Sequence, residues 1–186
     1  PAATHHFDRV RPNGVALNIR GAPMAGGGFV TTYMDISDRR RAEEQAQRSS
    51  QLLRGAIDAI DEAFVLYDAD DRLVLCNDRY RETYASVSDL IVPGARFEDL
   101  LRASARRGDY TAARGREDAW VAERLAAHHR ADGTIVQRLE NGKTLRIIER
   151  RLPDGHIVGF RVDITELVSA TEAAQQASLA KSQFQA

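Results

Sequence analysis

The chain predicts an α+β fold: a five-stranded antiparallel sheet with short helices on one face, flanked by two long helices of coiled-coil type. Three observations carry this. The elements run strand, strand, several short helices, then a three-strand meander, the pattern of a sheet with its helices segregated to one side. Asn13 to Ser50 reappears without a gap as Asn141 to Ser178, an offset of 128 residues. Each copy ends in a helix whose small or apolar residues keep a heptad spacing.

The repeat is read residue by residue. Asn13-Gly14 matches Asn141-Gly142, and Leu17 and Ile19 match Leu145 and Ile147. Asp35-Ile36-Ser37 matches Asp163-Ile164-Thr165, and Ala42 and Ala46 match Ala170 and Ala174. The chain therefore holds one complete copy of a structural unit and the tail of another. The divisions are 1–37 for the strand meander of the incomplete copy and 38–60 for a linker helix. The complete domain spans 61–166, and a C-terminal helix spans 167–186. Both ends look like cuts in a longer protein.

Residues 6–36 read as three strands. Asn13-Gly14 is a hairpin signal of type I′, which needs positive φ at both central residues. Val15, Leu17 and Ile19 alternate as a half-buried strand does. Gly26-Gly27-Gly28 makes the next turn, and Phe29 to Ile36 is rich in β-branched and aromatic residues. So small a meander cannot bury enough surface to fold alone, so it must lean on its own helix or a second subunit. Ser37 and Asp38 supply an N-cap. Beyond them Ala42, Ala46, Ser49, Leu53, Ala56 and Ile60 fall at spacings of 4, 3, 4, 3 and 4.

In the complete domain, Ala63–Tyr67 and Arg72–Cys76 are strands around an Asp68–Asp71 turn, and Asn77 caps a short helix through Tyr84. Pro93-Gly94 breaks the chain. Phe97, Leu100, Leu101 and Ser104 share one face of the next helix. Asp118–His129 is a further helix, with Trp120, Val121, Leu125 and His128 at helical spacing. Ile135–Leu139, Thr144–Leu152 and His156–Ile164 close the sheet through turns at Asn141-Gly142 and Pro153-Asp154-Gly155. After Thr165 the seam returns as Leu167, Ala170, Ala174, Ala177, Lys181 and Phe184, at spacings of 3, 4, 3, 4 and 3.

Bulk properties narrow the function. A net charge of −1 gives no field to steer nucleic acid or an anionic membrane, and neither partner is expected. No apolar run spans a bilayer. The single cysteine, Cys76, excludes an internal disulfide and a cysteine-rich metal site. A cytoplasmic location is expected.

With these elements in place, the chain resembles the PAS family of sensory domains. The resemblance is carried by Asp68-Ala69-Asp70-Asp71-Arg72-Leu73-Val74-Leu75-Cys76-Asn77 and by Gly159-Phe160-Arg161-Val162-Asp163-Ile164-Thr165-Glu166. Residues 26–38 look like the end of a second such domain. Ala180-Lys181-Ser182-Gln183-Phe184 is similar to the lead-in to the dimerisation helix of bacterial sensor histidine kinases, with Gln185 where that family has Leu. The resemblance implies a PAS-like fold and the sensory input and linker part of a kinase. The implied partners are a second copy through the linker helices, the kinase core and a response regulator. A ligand-free interaction and dimerisation module, docking a protein partner at its surface, is the alternative reading. A haem- or flavin-based sensor is a further one.

No catalytic set is legible: there is no phosphate loop, nucleophile triad or pair of catalytic carboxylates. His128-His129 would offer a haem ligand, but one part-buried and one solvated histidine at a helix end account for the pair. Cys76 lies in Cys-Asn-Asp rather than the Asn-Cys-Arg order of flavin-binding relatives, and reads as a small buried hydrophobe. No metal, haem or flavin is expected. The Asp68, Asp70 and Asp71 cluster reads as turn chemistry. Phe64, Tyr80, Tyr84, Phe97, Leu101, Trp120 and Ile147 are the candidate lining of a small-molecule pocket, or simply core. The expected signal-transmission joints are Asp163, Ile164 and Thr165, with Asp35, Ile36 and Ser37 in the other copy. There Thr165 caps the helix and Asp163 accepts a hydrogen bond from an arginine or a backbone amide.

Overall fold

A computed structural model describes residues 3–184, with side chains described through residue 179. The chain divides into two compact units, Pro1–Ala56 and Ile57–Ala186. The first holds β1 (His5–Val10), β2 (Ala16–Pro23) and β3 (Phe29–Asp35), antiparallel in that order, and α1 (Ser37–Asp58). β2 runs on past Ile19, because Arg20–Pro23 pairs with Phe29–Thr32. Ala16, Leu17, Ile19 and Ile36 are buried, whereas Phe7, Val10, Val30, Tyr33 and Met34 are exposed.

α1 buries no residue. Ala42, Ala46, Leu53 and Ala56 of the expected seam lie on it, all exposed. Ile60, expected to extend that seam, falls beyond the helix. The Asn77 amide takes the Ile57 carbonyl at 3.3 Å, and the Ile60 amide closes a tighter turn onto the same carbonyl. The helix is thereby denied its next bond.

The second unit runs β4 (Ala63–Tyr67), β5 (Leu73–Cys76), α2 (Asp78–Thr83), α3 (Phe97–Arg106), α4 (Glu117–Arg130), β6 (Thr134–Arg138), β7 (Thr144–Arg151), β8 (Ile157–Asp163) and α5 (Thr165–Phe184). Its five strands order as β5-β4-β8-β7-β6, every pair antiparallel. The first hairpin thus docks on the last strand. Two 3₁₀ turns, Ala85–Leu90 and Thr111–Ala113, join the helices. They lack the apolar periodicity that marks a helix in sequence.

The hairpin turns differ from type I′. Asn13 and Asn141 do not take positive φ; only the following Gly14 and Gly142 do. In each, the amide of the third loop residue bonds the carbonyl before the loop: Gly14 to Arg11, Gly142 to Leu139 and Gly155 to Leu152. This is the three-residue loop, a type I turn followed by a left-handed residue. Asn13, Asn141 and Asp154 prefer it because each side chain accepts the amide two residues on, at 3.1–3.2 Å. The β4–β5 loop is built the same way, but its left-handed residue is Asp71, at φ 57.

Strand alternation sets the faces of the second sheet. Ala63, Val65 and Tyr67 of β4, Leu145 and Ile147 of β7, and Ile157 of β8 turn inward and are buried with α2, α3 and α4 against them. Asn77 joins these layers. Its Oδ1 accepts from the amides of Phe64 (2.9 Å) and Tyr80 (3.1 Å), and its Nδ2 donates to the Glu62 carbonyl (2.9 Å). It is a helix cap and a strand clamp at once.

Candidate functional site

The inner face of the sheet carries charge where the alternation calls for apolar residues. Glu149 follows Leu145 and Ile147 in phase, and Arg161 follows Ile157 and Gly159. Both are buried, as are Arg124 and His128 of α4. Arg124 grips Glu149 through two parallel bonds of 3.0 and 2.7 Å, and Arg161 adds a third at 3.1 Å. A bidentate guanidinium is the geometry that best offsets the cost of burying a carboxylate. Burial alone would raise the Glu149 pKa, but His128 and the two arginines hold it well below the usual carboxylate range.

Gly159 makes this possible. A Cβ there would sit 2.3 Å from Arg161 Nη1 and 3.2 Å from a Val65 methyl. Without it the Arg161 side chain lies along the strand, over its own backbone, toward Glu149. The guanidinium also rests 5.2 Å from the Tyr80 ring centroid, and its Nε faces the Tyr84 hydroxyl at 3.4 Å. Tyr80 and Tyr67 share a hydroxyl–hydroxyl bond of 3.1 Å. Burial pushes both phenols above their ordinary range, so both stay protonated and neutral.

His128 stacks on Phe97 at 3.8 Å between ring centroids. Its Nδ1 lies 3.2 Å from Glu149 and its Nε2 lies 3.4 Å from Asp71, neither with good hydrogen-bond geometry. Burial lowers its pKa, against the pull of Glu149. His128 is fully buried, rather than partly so as expected; His129 is 56% exposed and pairs with Asp71 at 2.6 Å. Asp71 therefore does more than turn the chain. A carboxylate occupies a position that glycine fills in the matching loops; it pairs with His129 and lies beside His128. Among the described residues no group of three His, Cys, Asp or Glu side chains is placed to hold a metal ion.

A cavity of about 20 Å³ lies between sheet and helices. Tyr80, Tyr84, Phe97 and Leu101 line it, together with Ser104, Tyr110, Arg124, Gln137 and Arg161. Three residues expected in the lining are elsewhere. Phe64 points to the opposite face of the sheet, edge-on to Phe160, because it is out of phase with Ala63 and Val65. Ile147 is packed in the core. Trp120 lines a separate groove of about 520 Å³ between α4 and β6, where Tyr110 stacks on it at 4.3 Å. Cys76 is half-buried at the end of β5.

The two sheet-to-helix joints are built alike. The Ala16 amide donates to Ser37 Oγ and the Thr144 amide to Thr165 Oγ1, both at 2.9 Å. The Ser37 amide donates to Asp35 and the Thr165 amide to Asp163, at 2.9 and 3.0 Å. Ile36 and Ile164 bond the carbonyls of Ala16 and Thr144, both at 2.9 Å. The hydroxyl hydrogen bonds from Ser37 and Thr165 are the first cause that lowers the Asp35 and Asp163 pKa values. The helix start is thus bonded to the strand next to the one that precedes it. Beyond the joint, Leu167, Ala170, Ala174 and Ala177 are exposed; Phe184 lies outside the described side chains.

The buried ionic cluster was missed in the sequence, although its signal was there. Glu149 and Arg161 hold the inward phase of two strands, and Arg124 falls four residues from both Trp120 and His128.

A family model described as the PAS fold matches residues 2–44 and 57–172. The chain is 30% identical over 147 residues to the non-motile and phage-resistance protein of Caulobacter vibrioides, covering 78% of this chain and 16% of that protein. It is 27% identical over 184 residues to the virulence sensor protein BvgS of Bordetella pertussis, covering 91% of this chain and 14% of that one. The chain thus spans about a sixth of the length of these relatives. The solved PAS domain of that BvgS overlays with a TM-score of 0.39 at 22% identity, over 70% of this chain and 98% of that one. A domain of a Geobacter sulfurreducens sensor histidine kinase/response regulator gives 0.39 at 20% identity, over 62% and 94%. The family match covers both sheets and both joints, and the chain belongs to the PAS family.

Proposed function

We propose that this chain is the sensory and dimerisation segment of a larger cytoplasmic signalling protein, a histidine kinase that hands phosphate to a response regulator. Two copies pair along α1 and α5, and the PAS sheet moves α5 through the Thr144–Asp163–Thr165 joint. The observation that carries this reading is the repeated joint. The same three backbone and side-chain bonds recur in both copies. Each precedes a long helix with an exposed seam. A bonded joint transmits strand displacement into helix tilt, where a flexible linker would absorb it. The chemistry of phosphorylation lies outside this segment. No helix among the described residues is long and apolar enough to cross a membrane.

A second reading has its own support. A cavity of about 20 Å³ holds one water and no larger guest without side-chain movement. That favours a closed module which signals through protein contacts alone.

The test is Asp163→Ala in the full-length protein. The variant is expected to alter the phosphorylation response while the 186-residue chain keeps its melting temperature within the few degrees that one cap is worth. An unchanged response overturns the relay.

A further inference from the structure

We infer that His128 is a proton-binding site, and that acidification is a signal this domain reads by loosening Arg161 from Glu149. The seat of the ring is the first support. His128 is fully buried, and neither ring nitrogen has a hydrogen-bond partner. Yet each faces a carboxylate, Nδ1 at 3.2 Å from Glu149 Oε1 and Nε2 at 3.4 Å from Asp71 Oδ1. A neutral imidazole carries one N–H, so either tautomer turns a lone pair toward one of these oxygens. The imidazolium has a donor for both.

The second support is competition for one oxygen. Glu149 Oε1 already accepts from Arg124 Nη2 at 2.7 Å and from Arg161 Nη2 at 3.1 Å. A carboxylate oxygen offers two lone pairs. Arg124 is also held by Oε2 at 3.0 Å. The donor that yields to a protonated Nδ1 is therefore Arg161, whose bond to this carboxylate is single and longer. Arg161 lies on β8, two residues before Asp163. Glu149 lies on β7, the strand whose Thr144 amide bonds Thr165. The contact that loosens thus joins the two strands that hold α5.

The third support is a route for the proton. The Asp71 side chain is 23% exposed, and its other oxygen pairs with the solvated His129 at 2.6 Å. Asp71 thereby connects the sealed ring to water. The charged and titratable groups around His128 are Glu149 of β7, Asp71 of the β4–β5 loop and Tyr67 of β4, with Arg124 and His129 on α4 itself. α3 presents the Phe97 ring. Burial and Arg124 oppose the proton while the two carboxylates favour it, and burial prevails, so the site fills below the ordinary histidine range.

This deepens the sensory reading and rests on it only for what the proton does to α5. The histidine rings of the 186-residue chain are titrated by NMR from about pH 7.5 to about pH 5, beside the Arg161 Nε–H signal. His128 is expected to take up its proton with the sheet intact, at a midpoint below about 6.5, and the Arg161 signal to shift with it. Asp71→Asn removes one facing charge from a part-exposed loop, and asparagine tolerates the left-handed φ. Proton affinity at His128 is expected to fall there by about fivefold or more, the worth of a unit charge at that distance even in water. A His128 that stays neutral until the domain unfolds, an Arg161 signal that stays still, or an unmoved midpoint in Asp71→Asn would overturn the site. In the full-length protein the phosphorylation response is expected to change across that midpoint and to lose its pH dependence in His128→Phe. Proton uptake without a pH-dependent response keeps the site and overturns its role as a signal. Asp163→Ala then separates the two readings: a response that it alters keeps the relay, and only the proton signal falls.

Discussion

Single residues decide whether the core holds its charges. Gly159 leaves the space in which Arg161 lies, and that guanidinium is pinned by Glu149 and Tyr84. Gly159→Ala is therefore expected to cost about 1–3 kcal/mol, the range of an overpacked core, in urea unfolding. An unchanged midpoint would mean that Arg161 is free to move. His128 gives the core a pH dependence whose sign follows from its surroundings. The groups that face it are Glu149, Asp71, Arg124, Phe97 and Tyr67. Burial depresses its folded pKa, so the unfolded chain takes up the proton first as pH falls below about 6.5. Stability is then full above that range and declines as pH falls toward the folded value. Glu149 stays charged throughout this window, being held well below the carboxylate range. His128→Phe keeps the stacking on Phe97 and removes the titration. Its melting temperature is expected to vary less between neutral pH and pH ~5.5 than that of the parent. Equal slopes would place the dependence on other groups.

At the scale of elements, sequence logic succeeded where one local rule decides and failed where two compete. β4 was legible to the residue, because Ala63–Tyr67 is apolar throughout and Asp68 begins a turn. Asn77 was legible as a cap because its polar side chain follows a strand and precedes helical spacing. The hairpin type was not legible: Asn-Gly suits two loop lengths, and the partner strand's register chooses between them. The ionic cluster stayed hidden because a charged residue in an apolar phase looks like an error until its partner is seen. Those partners, Arg124 for Glu149 among them, lie far away in sequence. The joint was legible from the repeat alone, yet only the structure shows the bond from the Thr144 amide to Thr165. That bond is the element-scale prediction. Thr165→Val keeps the shape and removes the acceptor, at a cost of about 1 kcal/mol. The expected sign of uncoupling is faster amide hydrogen exchange at Thr144 and in the first turn of α5, with the rest of the sheet unchanged. Exchange that stays slow would show that Thr165 is an ordinary helix start.

For the whole molecule, the question is what the two seams bind. A single chain leaves Leu53 62% exposed and Leu167 63% exposed, along helices whose other described seam residues are alanine and Ser49. Burying each leucine against a second copy contributes about 1.5–3 kcal/mol per side chain, while the alanines add little. In the proposed dimer the pair of rods is thus held by few apolar anchors. A weakly held pair suits a relay, because an arrangement balanced within a few kcal/mol is the kind that a ligand can shift. The 20.6 kDa chain is accordingly expected to scatter light with about twice that mass at tens of micromolar. Leu53→Glu combined with Leu167→Glu places like charges on facing seams and is expected to return the mass to that of one chain. Neither position is buried within the protomer, so the sheet signal in circular dichroism should be unaltered. A parent chain that scatters as a single molecule would remove the seams from the mechanism. A dimer that survives both glutamates would point to the face of the first sheet on which Val30 and Met34 lie open.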